Sequence, residues 1–97
     1  MANEWFFMLF LIEIGKNIVA IRKKLKVSQE ELALRADMST SYLRNIEHGI
    51  ANPTFDVVLR IAKALGVDWR VIFLLNLPDS EIAAIMHMVK ILSEQQK

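Results

Sequence analysis

The sequence predicts an all-α fold. Three observations carry that expectation. Apolar residues recur at spacings of three and four along most of the chain. Residue types that start helices stand directly before those stretches: Ser28, Ser39 or Thr40, Thr54, Asp68 and Pro78. Residue types that stop them, Gly49 and Gly66, stand directly after.

The first stretch is the least regular. Residues 5–12 read Trp-Phe-Phe-Met-Leu-Phe-Leu-Ile without a polar interruption. The run is much shorter than the roughly 18–20 residues that span a bilayer. The preceding Met-Ala-Asn-Glu supplies no basic region and no small-residue cleavage site follows, so it is not read as a signal peptide. Aromatic enrichment favours a strand and continuity with the next element favours a helix; helix is preferred. So small a chain is not expected to cover such a run by itself, and burial against another molecule is expected.

From Ile14 the pattern is amphipathic. Ile14, Ile18, Ile21 and Leu25 make a core stripe, and Val27 closes the turn before Ser28. Lys16, Lys23, Lys24 and Lys26 lie off that stripe, on a solvated face, whereas Arg22 borders it. Ser28 and Glu31 form a capping box, in which the hydroxyl accepts from the backbone three residues on and the carboxylate reaches back. Leu32, Ala33 and Ala36 then share one face, and the pattern breaks at Ala36-Asp37-Met38-Ser39. Asp37 is a residue type that tolerates the left-handed conformation of a sharp turn.

The helix that follows has two distinct sides. Tyr42, Leu43 and Ile46 point one way, while Thr40, Ser41, Arg44, Asn45 and His48 recur on the other. That outer side carries no carboxylate, so it can donate hydrogen bonds to phosphates and base edges without repelling them. Gly49 stops the helix and Pro53 delays a restart. After Thr54, the residues Phe55, Val58, Leu59, Ala62 and Leu65 make a core face that ends at Gly66. Asp68 caps a short helix carrying Trp69, Ile72 and Phe73. Pro78 opens a last one, in which Ile82, Ile85, Val89 and Leu92 form a stripe at coiled-coil-like spacing.

At 97 residues the chain holds one modest core. The absence of cysteine excludes disulfides and thiolate metal sites and agrees with a cytoplasmic location. A net charge of +1 is small for a nucleic-acid binder, but the charge is unevenly placed. Residues 15–63 carry nine Lys and Arg against five Asp and Glu, and the flanks carry the acidic excess. No catalytic constellation stands out. His48 and His87 are isolated, no glycine-rich phosphate loop is present, and the serines fall at caps and turns. Glu30 and Glu31 are explained by helix-start chemistry. An enzyme, a cofactor, a metal site and a small-molecule effector are therefore not expected.

These residues resemble the Cro/repressor-type helix-turn-helix of the xenobiotic response element family. The likeness rests on Ser-Gln-Glu-Glu-Leu-Ala from Ser28, on Ser-x-x-Tyr-Leu-x-x-Ile-Glu-x-Gly ending at Gly49, on Asn52-Pro53-Thr54, and on Ile-Ala-Lys-Ala-Leu-Gly-Val ending at Val67. It runs from about Ile14 to Phe73. The chain departs from the family at Asp37, where a glycine is usual. The resemblance implies a five-helix lambda-repressor-like DNA-binding domain over residues 14–75. An apolar extension over 1–13 and a C-terminal helix over 78–95 flank it.

The resemblance also implies residue roles. Thr40, Ser41, Arg44 and Asn45 would face base edges, although phosphate is the preferred contact for Arg44. Ser28, Gln29, Tyr42, His48, Asn52 and Thr54 would contact or orient toward the phosphate backbone, and Gln29 would help to position a reading side chain. Arg22 would pair with Glu47 as a structural salt bridge. The expected function is a dimeric transcriptional repressor of double-stranded DNA, with a restriction–modification controller or antitoxin-type regulator as the alternative. A protein-interaction adaptor is disfavoured by the carboxylate-poor face, and a membrane-anchored regulator by the lack of a basic flank. Trp5, Phe6, Leu9, Ile82, Ile85, Val89 and Leu92 are the expected homodimer contacts.

Overall fold

The computed structural model describes residues 2–74, together with 87, 90, 91 and 94. Within that range the chain forms five helices: α1 (Ala2–Lys24), α2 (Gln29–Arg35), α3 (Thr40–Glu47), α4 (Phe55–Leu65) and α5 (Trp69–Leu74). No strand occurs among the described residues. The apolar run at 5–12 is therefore helical, and α1 passes residues 13 and 14 without a break. The stripe residues Ile82, Ile85, Val89 and Leu92, with nearly all of the expected C-terminal helix, lie outside the described residues. His87, Lys90, Ile91 and Glu94 are exposed. No helix among the described residues is long and apolar enough to cross a membrane.

Four of the helices end in the same way. The N–H of the residue after the cap reaches back to one carbonyl, and the next N–H reaches one residue further back. The pairs are Lys26 to Lys23 with Val27 to Arg22, Asp37 to Leu34 with Met38 to Ala33, Gly49 to Ile46 with Ile50 to Asn45, and Gly66 to Lys63 with Val67 to Ala62. The pivot residue of each is left-handed, at φ 60° for Lys26, 56° for Asp37 and 73° for both Gly49 and Gly66. Hydroxyl caps open α2, α3 and α4: Ser28, Ser39 and Thr54 accept from the backbone N–H of Glu31, Tyr42 and Val57.

The core gathers Ile14, Ile18 and Ile21 of α1 with Leu32, Ala33, Leu43 and Ile46 of the central pair, and with Val57, Val58, Ile61, Ala62, Leu65 and Ile72. Three expected core residues are exposed instead: Leu25, Phe55 and Leu59. Leu25 lies past the end of α1, in the turn that pivots at Lys26, where helical spacing no longer holds. The buried face of α4 is centred on Ile61 and Leu65. At about 100° per residue, Leu59 falls roughly 140° from that centre and Phe55 about 100°. Val57 and Ile61, which the sequence reading left out, fill the face.

Two contacts bring α1 against its neighbours. At Gly15, an added Cβ would lie 2.6 Å from the Ile46 carbonyl oxygen and still closer to that of Glu47, so only glycine lets α1 approach α3 so closely. Asn17 is buried, and its side-chain amide donates to the Ile72 carbonyl. That hydrogen bond ties α1 to α5 across 55 positions of sequence.

Candidate nucleic-acid interface

The site is α2, its turn and α3. Asp37 supplies the left-handed residue that swings the chain from one helix to the next. Its carbonyl accepts from Arg60 Nη1 at 3.4 Å, which ties the turn to α4. Leu43 and Ile46 anchor α3 in the core. The opposite face presents Ser41, Arg44, Asn45 and His48 to solvent, with Thr40 half-buried at the helix start.

Glu47 is the single carboxylate of α3, and the fold removes it from that face. It is 5% exposed. Arg22 Nε donates to its Oε2 at 2.8 Å and Arg22 Nη2 to its Oε1 at 3.1 Å, a two-pronged contact. Gln29 Nε2 donates to the same Oε1 at 2.8 Å, and Arg22 Nη1 turns to the Val27 carbonyl. One carboxylate thus holds α1, α2 and α3 at a single point. Its charge is neutralised by Arg22, so the outer face of α3 keeps a positive balance through Arg44.

The remaining candidate residues differ in their surroundings. Ser28 and Thr54 each spend a lone pair on a helix cap, which leaves the hydroxyl hydrogen free to donate outward. Tyr42 is half-buried against the core, while Asn52 is exposed in the loop after α3. Gln29 has its amide nitrogen committed to Glu47, which leaves its carbonyl for other partners. Trp5, Phe6 and Leu9 are exposed on the first half of α1, away from the α2–α3 pair in sequence. Sequence reasoning missed Gly15 and Asn17; both act through carbonyls of distant residues, and no local pattern marks such a contact.

A helix-turn-helix family model, HTH_3, matches residues 18–72. The chain belongs to this family. The match takes in the last turns of α1, from Ile18 through Arg22, then α2, the turn, α3, α4 and the start of α5. The immunity repressor protein of Bacillus phage phi105 is 43% identical over 54 residues, 56% of this chain and 38% of that protein. Control protein C.BamHI of Bacillus amyloliquefaciens is 41% identical over 54 residues, 55% of this chain and 67% of that protein. The structure of the restriction–modification controller protein C.AhdI from Aeromonas hydrophila superposes with a TM-score of 0.64 at 30% identity, covering 65% of this chain and 96% of that one. The phage repressor is thus matched over little more than a third of its length. These likenesses place the HTH_3 chain among helix-turn-helix DNA-binding regulators.

Proposed function

We propose that this HTH_3 protein is a sequence-specific transcriptional repressor that binds a palindromic duplex site as a homodimer. The observation that carries the reading is the outer face of α3. Ser41, Arg44, Asn45 and His48 are exposed together, while Glu47 on the same helix is turned inward and neutralised. A helix of eight residues with that face fits a major groove.

The roles follow from donor and acceptor chemistry. Asn45 is the adenine reader, because its amide can donate and accept at once. Thr40 and Ser41 contribute less selective contacts, and Arg44 meets a phosphate or a guanine. Ser28, His48, Asn52 and Thr54 donate to the backbone on either side. One such helix spans only a few base pairs, so two copies acting across a two-fold axis supply the remaining address. The reading gives the protein no catalytic role, no cofactor and no metal. It places the protein in the cytoplasm, where its DNA target lies.

The likeness to C.BamHI and C.AhdI supports a second reading, in which the operator controls restriction–modification genes. Selection of bound duplexes from a random pool, followed by sequencing, tests both. A symmetric motif with an adenine-dependent position in each half is the expected result. Failure to enrich any motif would sink the proposal. A motif that maps in front of a restriction endonuclease gene would favour the controller reading.

A further inference from the structure

The first half of α1 has an unusual surface. Trp5, Phe6, Phe7, Met8, Leu9 and Phe10 are each between 41 and 71% exposed. At about 100° per residue, six consecutive positions run right round a helix. This arm is therefore apolar on every side, and a helix of that kind is stable only when enclosed. One side already has a wall: Phe10 stacks on Phe73 of α5, with ring centroids 5.8 Å apart. From Phe73 a chain of edge-on contacts continues through Trp69 at 5.7 Å to Phe55 at 5.1 Å. Phe55, Leu59 and Trp69 are themselves exposed and form a second apolar ridge, along α4 and α5.

We propose that the arm is exchanged between two copies of the chain, so that Trp5, Phe6 and Leu9 of one protomer lie on the Phe55–Leu59–Trp69 ridge of the other, and reciprocally. This rests on the homodimer of the preceding reading and assigns its contact surface. Area and charge argue for a second copy. With ~200 Å² for a large apolar side chain, arm and ridge together expose on the order of 900 Å². The largest apolar patch of an ordinary monomer is about 300–600 Å², and each side of a stable complex buries about 800 Å². Between residues 2 and 15 the charged side chains are Glu4 and Glu13, which flank the run 5–12 without interrupting it, so the apolar surface itself carries no charge for a charged partner to meet. An apolar arm and an apolar ridge on one chain are self-complementary, as a two-fold contact requires.

The exchange has a mechanical consequence. The helix that carries the arm also touches the end of α3. Gly15 lies on the Ile46 and Glu47 carbonyls, and the Ile12 backbone packs against Gly49, where an added Cβ would come within 2.9 Å of the Ile12 Cα. A partner held on the arm is therefore placed relative to α3 through one continuous helix.

Cysteine cross-linking tests the contact directly, because the chain has no native cysteine. The Phe6→Cys and Leu59→Cys variants, mixed and mildly oxidised, are expected to give a mixed cross-linked dimer well above either variant alone. A second variant, Trp5→Glu with Phe6→Glu, is expected to keep its helical circular dichroism and to sediment at the 11.2 kDa chain mass rather than twice that mass. It should bind half-site duplexes as before and full palindromes about a hundredfold less tightly. A native chain that sediments as a monomer, whether its arm is covered by residues 75–97 or taken up by lipid vesicles, would overturn the proposal. So would a double variant that stays dimeric, or a dimer without the mixed cross-link. A native dimer that cross-links as expected but binds no duplex would leave the exchange standing and remove the DNA reading instead.

Discussion

Single residues in this domain carry effects of very different size. Arg22→Ala removes the cation from a buried carboxylate and leaves Glu47 charged without its main partner. A loss of about 3 kcal/mol or more is expected in urea unfolding. Asn17→Ala removes the hydrogen bond to the Ile72 carbonyl, at a cost of about 1 kcal/mol by the same measurement. Asp37→Gly should act in the opposite direction. A non-glycine left-handed residue costs about 1 kcal/mol, so the variant is expected to melt higher. Asp68 behaves differently again, because its effect depends on pH. Hydrogen bonds from the Arg70 side chain and backbone N–H lower its pKa from 3.8 to about 2. A carboxyl depressed in the folded state contributes stability that is fully present above about pH 3.8 and lost as the pH falls towards 2. The pair is more than a third exposed on the Asp68 side, so the effect is small. The stability difference between the native chain and Asp68→Asn should shrink across that window.

Whole elements were legible in the sequence to the extent that their signals are local. Ser28, Ser39 and Thr54 cap helices because a hydroxyl three residues before a free N–H does so in almost any context. Gly49 and Gly66 mark ends because few other residues take a left-handed pivot freely. The end of α1 was harder to read, since Lys26 makes the same pivot without being glycine. The face of α4 was misread because its apolar residues are too many for their spacing to select one stripe. Phe55 and Leu59 are as apolar as Val57 and Ile61, and only the packing of α4 on α2 and α5 decides between them. Gly15 and Asn17 were illegible for another reason, as their partners lie at Ile46 and Ile72. The α1–α3 contact can be tested as a unit. Gly15→Ala forces the two helices apart, and duplex binding is expected to weaken even where circular dichroism shows the helices intact.

At the scale of the whole molecule, charge distribution and assembly should be measurable together. Affinity for duplex DNA should fall steeply as salt rises, with a logarithmic slope of about −0.9 for each phosphate that a cation such as Arg44 or Lys23 neutralises. A flat salt profile would remove electrostatic docking from the mechanism. Asn45→Ala should leave that slope unchanged while relaxing base preference at one position per half-site, at a cost of about 1–3 kcal/mol. The two measurements thus separate holding from reading. The C-terminal segment can be examined the same way. Ile85→Glu with Val89→Glu should lower the dimer fraction in sedimentation if that stripe supports the arm, and should leave it unchanged if the arm and ridge suffice.

The division of α3 into two faces bears on how such a protein can change its target. Leu43, Ile46 and Glu47 hold the helix in place, while positions 41, 44, 45 and 48 are exposed. On the proposed reading, folding and readout draw on separate letters of the nine-residue stretch from Thr40 to His48. A library randomised at those four exposed positions should yield folded proteins in nearly every clone, each with its own preferred duplex. A lineage carrying this helix could move to a new address by a few substitutions, without passing through an unstable ancestor.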